Sequence, residues 1–473
     1  MYGPGQQSPR IVLEPCCDGS QPSVTHLQRF SGIIAKLRGG RGVYALVDQI
    51  QISGSNFLST IVLVRGLGLP EFGKFSIAYI LLLYANALQA SFIAFPMLSL
   101  APGMEAEEKR EFVEGMYSIQ LLASVALSFA FAAAGLIVRM FTSFYSLQCV
   151  VAFAFCVGIF QLQDWLRRYY FLHKKGMLAI LNDFISYFVQ LVLLFLLWKF
   201  DKLTLFRTFL VIGGTSAGAF SLGAITEGLH PAFRHLRKTW SRSRTLSLDL
   251  LIANQVSWFG TQGVLLIGTG IIGATAAGGL RATQSITGPV NLVLTSLENV
   301  VPIRVAEELK RNGAGAAHEY VTRTIVRCAL LFAPLVASFA VFGRPILRIL
   351  YGPSMEAFYV PMTVQLAAVM AQIAGRLMIY FCRGVQKSHA IIASNALGTG
   401  ACLIAVYTLG RLWGATGVAL AALVGQATIV GYCALDWKLN SRKLLEAFPG
   451  HNSSTTDVAT NLKENLLADQ VSI

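Results

Sequence analysis

From residue 43 to residue 436 the chain is a succession of apolar stretches, each roughly 20 residues long and parted from the next by a few polar residues. No other feature limits the fold as much. In hydrocarbon every backbone N–H and C=O needs an internal partner, so a stretch of that length crosses as a helix. Twelve spans are expected, at 43–66, 73–98, 113–139, 145–167, 177–198, 205–227, 247–271, 277–303, 319–342, 355–381, 388–410 and 414–436. Only 13% of residues are charged, against about 25% in a soluble domain. The mean hydropathy is +0.58. Lipid is therefore the main solvent, and the short connections leave no room for a soluble domain between spans.

The ends differ from the middle. Residues 1–38 are rich in Gly, Pro, Ser and Gln. They lack the basic start, apolar core and cleavage site of a signal peptide, and read as a disordered cytoplasmic tail. Residues 439–473 read the same way. The longest connection, "LHPAFRHLRKTWSRSRTLS" at 228–246, divides the spans into an N-terminal six (39–227) and a C-terminal six (247–438). Segments on the N-terminal side of the bilayer hold 22 Lys and Arg, those on the other side 8. Both termini are thus expected in the cytoplasm, with much of the formal +14 charge lying against anionic membrane lipids. Basic charge confined to loops between spans argues against a nucleic-acid partner. The eight cysteines form no C-x-x-C pair and no cluster with histidine, so no disulfide, metal or cofactor is expected.

One stretch, "RGLGLPEFGKFSIAY", imitates a phosphate-binding loop, with Gly68, Gly73 and Lys74 spaced as G-x-x-x-x-G-K. That motif needs Ser or Thr after the lysine and a strand before the glycines. Here Phe75 follows, and a helix-length apolar run precedes. Gly66, Gly68, Pro70 and Gly73 instead mark a hairpin between two spans. An ungapped shift of 206 residues places Asp48-Gln49 on Asn254-Gln255, Gly73 on Gly279 and Pro96 on Pro302. The halves therefore read as related bundles of parallel topology.

Within the spans polar residues recur at helical spacing. Arg281, Gln284, Gly288, Asn291, Thr295 and Glu298 share one face of the eighth span. The first span carries Asp48, Gln51, Ser55 and Ser59 on one face, with Gln49 and Asn56 beside it. The seventh adds Asn254, Ser257 and Thr261, and the tenth Gln365, Gln372 and Arg376. A charge at the bilayer centre costs about 2.5–3.5 kcal/mol, so such faces imply a wet interior or a partner. Asp164, Arg167 and Arg168 read as interfacial charges, Glu319, Arg323 and Arg327 as a snorkelling ladder, and the basic linker as solvated or facing headgroups.

Three segments carry a resemblance. "DQIQISGSNFLSTIVLVRGLGLPEFGKFSIAY", with Arg65, Leu67, Gly68, Phe72 and Gly73, resembles the first two helices of the polysaccharide flippases (Wzx/RfbX-like) of the MOP exporter superfamily. "FGRPILRILYGPSMEAFYVPMTVQLAAVM", with Leu350-Tyr351-Gly352, is similar to their ninth-to-tenth connection. "LWGATGVALAALVG", with Gly414, Gly417 and Ala419, is similar to the start of their twelfth helix. The resemblance implies an all-α integral membrane fold: two six-helix bundles (MATE/MOP-like) around a central cavity walled by the first, second, seventh and eighth helices. It implies a non-enzymatic flippase of the bacterial inner membrane. Such proteins move polyprenyl-pyrophosphate-linked oligosaccharide repeat units outward by alternating access, here with the bundles rocking about the linker. Polysaccharide polymerase and export proteins would be the partners.

On that expectation Arg281, Arg376 and Arg65 face the pyrophosphate, since forked guanidinium donors match phosphate oxygens. Gln284, Asn291, Asn56 and Gln372 suit sugar hydroxyls. The alternative is that these arginines pair with Asp48 or Glu298. Those two acids are candidates for coupling to a proton or sodium ion, or are structural. Two rivals remain. A MATE-like drug or cation antiporter would favour acidic and aromatic walls over arginines. A membrane glycan polymerase or glycosyltransferase would need a sizeable outer loop, and the longest, at 343–354, has neither carboxylate nor histidine.

Overall fold

The computed structural model describes residues 41–286 and 288–449. The expected tails at 1–38 and beyond 449 lie outside them. The described residues are helical throughout, joined by short turns, and contain no strand. Nine helical runs among them are long and apolar enough to cross a membrane. Three of these, at 57, 51 and 59 residues, far exceed the roughly 20 residues of one crossing.

Glycines break the long runs. Within Arg41–Gln89, Gly68 has φ 74° and ψ 162°. Within Val264–Ile286, Gly273 is nearly identical, with φ 81° and ψ 165°. Gly313 and Gly414 do the same in Gly288–Tyr351 and Ser388–Ala447. Positive φ with no Cβ is glycine's province, and Pro70 sits in the first turn after Gly68, where its missing N–H costs nothing. The imitation phosphate loop is thus a bend between helices, and Lys74 Nζ is spent on Glu71 Oε1 at 2.7 Å.

The helices of 41–227 are termed the first body and those of 264–447 the second, following the division expected from the sequence. In the first, Leu147–Leu172 packs between Ala106–Phe141 and Leu205–Glu227. Its most apolar window is 78% buried, that of Ala106–Phe141 only 6%, so the latter is the lipid-facing wall. In the second, Tyr359–Gly384 packs on Ser388–Ala447 and Gly288–Tyr351. Ser388–Ala447 stays helical into the segment expected to be tail. Phe448 O accepts from Ala314 N at 3.0 Å, anchoring the end against the Gly313 turn.

Helix Leu236–Trp258 packs one face on the first body, while Arg234, Arg237, Lys238, Arg242 and Arg244 stay exposed as expected of the linker. Lys238 Nζ pairs with Glu111 at 2.7 Å and Arg242 pairs with Glu108. Thr239 fills the space left by Gly115, and Trp240 meets Phe92 at 5.2 Å. The cause is the run of acids opening Ala106–Phe141, which offers the opposite charge at the linker's own level. After the π-helix Phe259–Gly263 the chain joins the second body, where Val264 packs with Cys402, Val406 and Ala421.

Candidate functional site

The bodies are pressed together at the end of the molecule that carries the Gly68 and Gly273 bends. Gly73 lies against the Ala274 carbonyl, and a Cβ on Gly278 would come 2.7 Å from the Gly73 Cα. The Phe358 ring occupies the place of a side chain on Gly279. Below them Val62, Phe72 and Phe75 of the first body share one core with Ala282, Ile286, Leu347 and Phe358 of the second. Tyr351 Oη donates to Ala282 O at 3.1 Å. Arg65 crosses the seam: Nε donates to Leu350 O at 2.8 Å and Nη2 to Ile349 O. These are terminal carbonyls of Gly288–Tyr351, where a cation complements the helix dipole. The Arg65 guanidinium thus bonds a helix end while the residue stays exposed.

One turn inward from Gly278 stands Arg281. Its guanidinium lies over the Tyr79 ring of the opposite body, 5.4 Å from the centroid, and Nη1 donates to Gln284 Oε1 at 3.2 Å. Among the described residues no carboxylate pairs with it. Asn56, Gln284, Gln372 and Arg376 are half-buried. Gln365 is buried and braces the same helix, accepting from Thr283 Oγ1 at 2.6 Å and donating to Leu280 O at 3.2 Å. Asn254 ties the linker helix to the first body, its Nδ2 donating to Ser91 Oγ at 2.6 Å. Asn291 and Glu298, with Ser257, Thr261 and Thr295, lie outside the described side chains.

The first-span face of Asp48, Gln51, Ser55 and Ser59 does not line the seam. It turns into the first body, where Asp48, Ser55 and Ser59 are buried. Arg167 Nη2 meets Asp48 Oδ2 at 2.5 Å. The same guanidinium reaches Asp183 Oδ2 at 2.8 Å, and Arg168 Nε meets Asp164 Oδ2 at 2.7 Å. Gln163 Nε2 donates to Asp183 Oδ1 at 2.8 Å. Three carboxylates thus share two guanidinium groups. Asp48 Oδ1, both polar atoms of Gln161 and the Asn182 amide oxygen are buried with no hydrogen-bond partner among the described residues. Buried acids in excess of cations, with spare acceptors around them, can hold a proton or a small cation. Arg167, read from sequence as interfacial, is the hub of this cluster. Asp183 and Tyr79 carried no signal in the stripes, although an acid inside the apolar run "LNDFISYF" is itself one.

No protein-family model matches the sequence, and no curated protein is similar to it. Solved structures do match. The lipid II flippase MurJ, in an inward closed conformation, has a TM-score of 0.63 at 14% identity, over 84% of this chain and 87% of that one. An inward-facing multidrug resistance MATE family transporter of the MOP superfamily gives 0.60 at 10%, over 84% and 99%. A Vibrio cholerae MATE transporter gives 0.56 at 13%, over 89% and 99%. At such identities the likeness speaks for architecture, and with the helical bodies described above it shows that this chain has the fold of the MOP-superfamily membrane transporters.

Proposed function

We propose that the protein is a flippase that carries an anionic lipid-linked oligosaccharide through the seam between its two bodies by alternating access. The cargo is a polyprenyl-pyrophosphate-linked repeat unit, moved from the inner to the outer leaflet of the bacterial inner membrane, with both termini in the cytoplasm. The carrying observation is Arg281: a cation half-buried between bodies, resting on an aromatic face, with no carboxylate among the described residues. A charge so placed is costly without a partner, and a pyrophosphate supplies one. Gln284, Asn56, Gln372, Asn291 and Arg376 would meet the remaining phosphate oxygens and sugar hydroxyls. The MurJ likeness supports the reading, since that protein is a lipid II flippase.

The buried acids around Asp48 favour a second reading, a cation-coupled antiporter. The two compete at Arg281, which repels a cationic drug and attracts a pyrophosphate. Proteoliposomes holding a fluorescent polyprenyl-pyrophosphate oligosaccharide separate them. The protein should move that label between leaflets, and Arg281→Ala should lower its affinity for the label about 10- to 100-fold, the worth of a charge-assisted hydrogen bond. Drug efflux without lipid movement would overturn the flippase.

A further inference from the structure

We propose that Tyr79 is a positioning residue for Arg281, and that the anion site exists only while the seam at Gly73 and Gly278 is shut. The inference rests on the flippase reading of the same site and adds its switch. Arg281 belongs to the second body and Tyr79 to the first. The tyrosine ring is fixed from behind: Phe75 stacks on it at 5.5 Å, and Phe209 stacks on Phe75 at 5.9 Å. Among the described residues the arginine has no such anchoring from its own body. Its polar contact there is the Gln284 amide at 3.2 Å, one turn along the same helix. An arginine side chain has many rotamers, and the face of an aromatic ring is what favours one of them here. The guanidinium is thus aimed by a side chain of the opposite body.

The position of the pair relative to the seam makes this a switch. Gly278 precedes Arg281 by one turn, and Tyr79 lies about 9 Å along its helix from Gly73. Any movement that draws the Gly73 backbone from Ala274 and Gly278 draws the ring from the guanidinium as well. The arrangement has a consequence for direction: the site loses its grip on an anion in the same motion that opens this end of the molecule. Affinity is high when the end is closed and low when it is open, which is the order that release at this end demands. Arg65, which bonds the Ile349 and Leu350 carbonyls across the seam, belongs to the latch and not to the anion site.

The test measures binding of a fluorescent polyprenyl pyrophosphate to the full chain in nanodiscs. Tyr79→Phe keeps the ring face and should bind within about twofold of the parent. Tyr79→Leu should bind about tenfold more weakly. Gly73→Leu places a side chain where the Ala274 backbone lies and wedges the seam, so it should weaken binding to a similar degree without touching the ligand. The double variant Gly73→Leu/Tyr79→Leu should be no weaker than Gly73→Leu alone, because an open seam has already removed the ring. Simple additivity of the two losses would overturn the switch. Tyr79→Leu binding like the parent while Arg281→Ala does not would overturn the positioning role and leave the flippase reading standing. Full binding by Arg281→Ala would overturn both. Tyr79→Phe failing as badly as Tyr79→Leu would count against the ring face as the cause.

Discussion

At the scale of single residues, the Arg167 guanidinium bridges two fully buried carboxylates, Asp48 and Asp183. Each charge lost several kcal/mol of hydration on burial, and mutual attraction returns it only while all three are present. Removing the cation leaves two anions facing each other in a dry interior. Arg167→Ala is therefore expected to lose about 3–5 kcal/mol, read as a large fall in the melting temperature of the detergent-solubilised protein. Asp48→Asn in the same background should recover part of it, because one unpaired charge is then gone. An unchanged melting temperature for Arg167→Ala would sink this account. The cluster also marks where sequence reasoning stopped. Helical spacing told correctly that Asp48, Gln51, Ser55 and Ser59 share a face, but periodicity cannot say what the face looks at. Arg167 stands at the end of an apolar run, where an arginine ordinarily reaches for the interface, so nothing local betrayed its inward partners. Arg281 was legible because it interrupts an apolar helix with no acid within a turn of it.

At the scale of elements, the linker was read from charge alone, and its partner was the missing term. Arg234, Arg237, Lys238, Arg242 and Arg244 are exposed as their charge suggested, yet Lys238 and Arg242 also reach Glu111 and Glu108 of Ala106–Phe141. Surface ion pairs contribute about 0–1 kcal/mol each, so charge steers the contact and packing fixes it. Thr239 is buried against Gly115, where an added side chain would collide with it. Ala232 N also donates to Ser118 Oγ at 2.8 Å. Gly115→Val should lift the linker helix from the first body and expose 234–244 to trypsin. Lys238→Glu, which removes charge and not shape, should change cleavage much less. Equal protection in Gly115→Val and parent would show that packing does not hold the linker. The hairpins, by contrast, were legible as hairpins because positive φ confines them to glycine. Their pressing together was not, since Gly73 touches Ala274 and Gly278 from some two hundred residues away in sequence.

At the scale of the whole molecule, the acids sit inside one body while the seam lies between two, so an ion bound at the acids must act through something rigid. The arm 41–67 is that element: it carries Asp48 near one end and Arg65 at the other, about 25 Å apart along the axis. If Asp48 takes the coupling ion, as proposed from its carboxylate, a proton or sodium ion there would weaken its bond to Arg167 and free the arm to shift. Any shift is delivered to the Arg65 contacts with Ile349 and Leu350, at the latch that holds the hairpin end closed. On the flippase reading, cargo affinity at Arg281 would then follow the seam, because the Tyr79 ring that aims the guanidinium lies across it. Asp48→Asn, which mimics the protonated acid, should then favour the open seam and bind polyprenyl pyrophosphate more weakly than the parent, while transport becomes indifferent to an imposed proton or sodium gradient. Proteoliposomes with each gradient set separately read this directly. Gradient-dependent transport persisting in Asp48→Asn would move the coupling role to Glu298, and parent transport unaffected by either gradient would remove ion coupling. On the proposed reading, separate seats for ion and cargo would let the ion set when the seam opens while Arg281 selects what enters it.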